Sequence, residues 1–150
     1  MAGIRMQVKT HFLYREKYMR VSKPATLFLS LVFALALGAC ATKPIYSVND
    51  APVISANGKS LEKNQVRTAI ISAGVSLGWQ VVEVKPGMLQ GTLKLRDHTA
   101  VVDIPYSATK YSILFKSGIN LGEKDGQIHK NYNGWVQNFD KAIRALLAQT

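Results

Sequence analysis

The chain has 150 residues, 47% of them hydrophobic and 19% charged, with a formal net charge of +10. That length allows one domain, or one domain plus a tail. A single cysteine excludes an intramolecular disulfide, so a secreted domain of this sequence has to rest on an apolar core.

The charge is unevenly placed. Arg5, Lys9, Arg15, Lys17, Arg20 and Lys23 stand against one acid, Glu16, before Cys40. From Cys40 onward there are 13 Lys and Arg and 8 Asp and Glu, a net of +5. Half of the basic excess therefore belongs to the N-terminal segment, and no nucleic-acid partner is expected. The remainder favours anionic lipid or cell-wall polymers as neighbours.

Leu27 to Ala39 is apolar but for Thr-free, single-hydroxyl punctuation at Ser30. A bilayer-spanning helix needs about 20 apolar residues. The shorter run suits the hydrophobic region of a signal peptide, about 7–15 residues long. It ends in Leu37-Gly38-Ala39-Cys40, which resembles the lipobox at which bacterial lipoproteins are cleaved and acylated. The resemblance implies that Cys40 becomes the first mature residue and carries lipid. It also implies sorting: Asp at the second mature position tends to hold such proteins at the inner membrane, and Ala41 stands there instead. The expected address is the periplasmic face of the outer membrane, with the lipid at Cys40 as the membrane contact. Translation from Met19 would give a conventional basic region, Met19-Arg20-Val21-Ser22-Lys23. The predicted division is a signal peptide at 1–39, a lipidated cysteine and tether at 40–59, and a periplasmic domain at 60–150.

Pro44, Asn49, Asp50, Pro52, Ser55, Asn57 and Gly58 disfavour a continuous element, which is why this stretch reads as tether, with at most an edge strand at Val53-Ile54. A helix follows, with Ser60 as its expected cap and Gly78 as its stop. Val66, Ala69, Ile70, Ala73 and Leu77 form its apolar stripe. Four strands are predicted next: Trp79–Val84, Met88–Arg96, Thr99–Tyr106 and Thr109–Lys116. Pro86-Gly87 has type II turn chemistry, and Asp97-His98 reads as a tight reversal. Pro105 cannot donate to a ladder, so the third strand should end or bulge there. A loop at Ser117–Gly126 leads to a second helix. Its stripe is Ile128, Tyr132, Trp135, Val136, Phe139, Ile143, Leu146 and Leu147. The predicted fold is α+β: a two-layer domain with a four-stranded antiparallel meander and two helices packed on one face.

Within the domain, Gly78-Trp79, Pro86-Gly87, Tyr111-Ser112-Ile113, Asn120-Leu121 and Ile128 to Val136 resemble a family of small proteobacterial envelope lipoproteins. The resemblance spans Val66 to Leu147 and implies an envelope role without specifying an activity. The element order is also similar to the helix-grip domains of a lipoprotein in the outer-membrane barrel-assembly machinery, by topology alone.

Neither His98 nor His129 has the neighbours a metal site needs, and no Gly-x-Ser-x-Gly turn or phosphate-cradling loop is present. No metal, cofactor or catalytic residue is therefore expected. The candidate ligand-binding cluster is Arg96, His98, Tyr111, Asn120, His129, Tyr132 and Asn133, converging where the last loop meets the second helix. The expected function is a non-enzymatic binding or envelope-assembly module with an envelope protein or cell-wall partner. The alternative is a cell-wall or ligand-processing enzyme built on Arg96, His98 and His129.

Overall fold

The computed structural model describes residues 42–150, so the segment expected to be a signal peptide and Cys40 lie outside the described residues. The elements are β1 (Thr42–Pro44), β2 (Val48–Pro52), α1 (Lys63–Ser76), β3 (Trp79–Lys85), β4 (Met88–Leu95), β5 (His98–Pro105), β6 (Lys110–Ile119), β7 (Gln127–His129) and α2 (Lys130–Leu147). The protein is α+β. Two helices accompany an antiparallel five-stranded sheet of order β2-β6-β5-β4-β3, and β1 pairs with β7 in a separate ribbon.

The strands β3 to β6 are neighbours in chain order, as their short connections and alternation require. Gly87 takes φ +84°, which a type II turn demands of its third residue. The next reversal lies one residue earlier than predicted. Leu95 pairs with His98, so Arg96 and Asp97 make the turn and Arg96 takes φ +56°. β5 ends at Pro105, and the ladder resumes only as a bridge from Tyr106 to Tyr111.

The main correction is at the N-terminal side. The stretch expected as a tether is built into the domain. Thr42 pairs with His129, and Val48 and Ala51 pair with Ile113 and Tyr111. Asn133 fastens the same stretch, accepting from the Tyr46 amide at 3.0 Å and donating to the Pro44 carbonyl at 2.8 Å. The sheet consequently has five strands where four were expected. The register of β2 shifts between its two buried residues, Val48 and Ala51, and Asp50 sits there at φ +47°. That irregularity erases the alternation by which a strand is recognised.

Helix α1 is capped at Glu62 rather than Ser60, because Leu61 is buried and fixes the entry. Leu61 and Val66 occupy the two positions of a hydrophobic staple, and the Glu62 amide donates to Gln65 Oε1 at 2.8 Å. Its buried stripe is Val66, Ala69, Ile70, Ala73 and Gly74, whereas Leu77 is 39% exposed. Gly74 belongs there because a Cβ would collide with Val81 and stand 3.1 Å from Phe139.

Helix α2 buries Tyr132, Val136, Phe139, Ile143 and Leu147. Its start lies at Lys130, since Ile128 is held in β7. Trp135 and Leu146 fall beside the stripe and are half-buried. The buried tryptophan is Trp79, whose ring stacks on Phe139 at 5.2 Å. Gly91 makes room for it: a Cβ there would stand 3.3 Å from the indole. Phe115 meets Tyr132 edge-on at 5.2 Å, and Tyr111 Oη donates to Asp140 at 2.6 Å. Helix and sheet thus share one core. On the other face of the sheet, Asp103 accepts from Gln90 at 3.1 Å and from Lys116 at 3.2 Å.

Candidate functional site

The seven residues expected to converge divide into a cluster of three, Arg96 in the turn beside it, and three separate structural positions. His98, Asn120 and His129 meet. His98 opens β5 on the face of Ala100, Val102 and Ile104, because strand residues two apart share a face. His129 caps α2, its Nδ1 accepting from the Asn131 amide at 3.3 Å. The two imidazoles stack with centroids 5.4 Å apart. Trp135, one turn into α2, tilts against His98 at 6.3 Å. It was read as core, and the histidine contact was missed because His98 was placed in a turn.

Backbone contacts hold the cluster. His98 Nδ1 lies 2.8 Å from the Asn120 carbonyl. A carbonyl can only accept, so Nδ1 carries the proton. Asn120 takes φ +56° and donates through Nδ2 to the Asp97 carbonyl at 2.8 Å, which ties the β6–β7 loop to the β4–β5 turn. The His129 amide donates to the Leu121 carbonyl at 2.9 Å. One nitrogen of each imidazole is thereby committed to the backbone. The Asp97 carboxylate stands 3.7 Å from His98 Nε2, an ion pair only when the ring is protonated.

Arg96 lies in the adjacent turn and is exposed. Tyr111 is buried against Asp140, and both burial and that hydrogen bond push its hydroxyl pKa upward. Tyr132 is fully buried, and burial alone raises its pKa. Asn133 binds the β1 segment, as described above. None of these last three presents a group to a ligand beside the histidines. Among the described residues, no three His, Cys, Asp or Glu converge to hold a metal.

A second polar group sits at the far end of the sheet. Glu83 accepts from Tyr106 Oη at 2.8 Å and from Arg67 Nε at 2.7 Å. These hydrogen bonds hold its carboxyl below the usual carboxylate range, while burial and Glu83 push the Tyr106 hydroxyl up. Lys63 lies over the Tyr106 ring at 5.4 Å. The group links α1 to the sheet. A cleft of about 390 Å³ opens between the start of α1 and the end of α2, lined by Asn64, Gln65, Thr68, Ser72, Leu146 and Gln149. A smaller one of about 250 Å³ lies beside Val53, Ser55, Lys59, Leu61 and Thr109. Both are lined by residues outside the histidine cluster.

No family model matches the chain, and neither a curated protein nor a solved structure does.

Proposed function

We propose that this chain is a lipid-anchored envelope protein, held at the periplasmic face of the outer membrane by acyl chains on Cys40. Its domain acts as a binding or assembly module. The observation that carries this is Leu37-Gly38-Ala39-Cys40 at the end of an apolar run, holding the one cysteine of the sequence. Each buried methylene contributes about 0.8 kcal/mol, so two or three long chains anchor durably where one would not. In the same reading, the domain is two-layered. Both helices cover one face of the β3–β6 meander, and β2 is an added edge. The histidine cluster supports a binding role because one nitrogen of each imidazole holds the backbone while the His98, His129 and Trp135 side chains stay only partly buried.

The test is metabolic labelling with palmitate, followed by separation of the membranes. Wild-type protein should carry label and sediment with outer membrane, and Cys40→Ser should carry none. Label retained by Cys40→Ser would end the proposal. Label in wild type but in the inner membrane would end the sorting part alone.

The stacking of His98 on His129 favours a second reading, an enzyme acting on cell-wall material. It requires an imidazole free to move a proton. Incubation with purified cell-wall material decides: soluble products released by the wild type and not by His98→Gln would favour it over a binding module, and no release by the wild type would remove it.

A further inference from the structure

We infer that the end of the domain bearing β1 rests directly on the phospholipid headgroups, making the domain a peripheral membrane body as well as an anchored one. This rests on the proposed acylation of Cys40.

One residue, Ala41, separates Cys40 from Thr42. Two Cα–Cα steps of about 3.8 Å keep Thr42 within ~8 Å of the acylated residue. Thr42 is already folded into the ribbon, so no slack remains to lift the domain away. From there the surface can be followed by pairing. Thr42 faces His129, His129 stacks on His98, and His98 faces Leu95 across the turn. Thr99, the next residue, faces Ile119. The anchor therefore emerges at the end of the sheet where β4 and β6 finish and β5 begins.

This end exposes large apolar side chains, Leu95 at 47% and Ile119 at 60%. Lys43, Lys94, Arg96, Lys124 and Lys130 are exposed on the elements that meet at this end, against the acids Asp97, Glu123 and Asp125, which leaves it net positive. Apolar side chains bordered by cations suit one environment in particular. The apolar groups enter the boundary between headgroups and acyl chains, and the cations meet phosphates. The opposite end, at Pro86-Gly87, lies a full strand length away, roughly 25 Å at about 3.4 Å per residue. Val84 and Ile54 are exposed toward that end, at 51% and 64%. Exposure alone therefore does not separate the two ends; proximity to the anchor does.

The full chain is expressed in a bacterial host with an outer membrane. The photo-reactive residue benzoylphenylalanine replaces Leu95, Ile119, Val84 or Ile54, all exposed positions that leave the core intact. Adducts are resolved by mass spectrometry, and acylation of Cys40 is read in the same spectra. The expected result is phospholipid adducts at positions 95 and 119 and their loss at 84 and 54. Acylated protein with only protein adducts, or none, at 95 and 119 would overturn the docking and leave the anchor standing. Equal lipid adducts at all four positions would also overturn it. Protein without acyl chains would overturn both.

Discussion

Tyr111 and Tyr132 are both sealed from solvent, yet they differ in what their hydroxyls meet. Tyr111 Oη donates to Asp140, whereas Tyr132 Oη has no hydrogen-bond partner among the described residues. A hydrogen bond to a charged group contributes about 1.5–3 kcal/mol, so Tyr111→Phe should lose roughly that amount. Tyr132→Phe removes no protein hydrogen bond and should leave stability unchanged or slightly raised. Urea unfolding of the two variants checks the contrast, and the opposite order would mean that the packing of α2 on β6 is misassigned. The tryptophans separate in the same way. Trp79 is 3% exposed and stacked on Phe139, so Trp79→Ala should cost about 3–5 kcal/mol. Trp135 lies beside the buried stripe, and its loss should cost roughly 1–2 kcal/mol because its ring is only partly removed from water. Equal shifts in melting temperature would contradict the assignment of Trp79 as the core tryptophan.

At the scale of elements, β3 to β6 and both helices were legible because each repeats its apolar residues at its own period. Leu89, Gly91 and Leu93 alternate along β4, and Val136, Phe139 and Ile143 recur along α2. The segments β1, β2 and β7 were not legible as strands. They are three to five residues long, and two of them carry proline. Their pairing is decided by distant partners, which local pattern does not encode. The candidate site shows the same division. The sequence groups His98 and His129 with five other residues but does not encode their stacking, and a reversal placed one residue late hides the contact with Trp135. Tyr111 and Asn133 bond to groups far along the chain, and Tyr132 packs its ring on Phe115, so their structural roles could not be read locally. Asn133 offers a test of how β1 is held. It makes two hydrogen bonds to the Pro44–Tyr46 stretch. In Asn133→Ala, amide exchange at residues 42–46 should accelerate while exchange in β4 and β5 stays at its wild-type rate, as expected of local opening. Unchanged exchange at 42–46 would show that the β1–β7 pairing suffices alone.

For the whole molecule, the consequence of these short strands is positional. Thr42 is already paired in β1, so the proposed anchor at Cys40 would leave a single residue, Ala41, between lipid and ribbon. On the proposed anchoring, the histidine cluster, the β4–β5 turn and the end of β6 lie toward the lipid, and the Glu83–Tyr106 group lies toward the opposite end of the sheet. The functional proposal stands or falls on the anchor itself. The most direct test is the intact mass of the protein extracted from membranes with detergent. A mature chain beginning at Cys40 and bearing a diacylglyceryl group on its sulfur, with or without an acyl chain on the new amino terminus, is the expected result. A chain that retains the segment before Cys40, or one that begins at Cys40 with a free thiol, would contradict it.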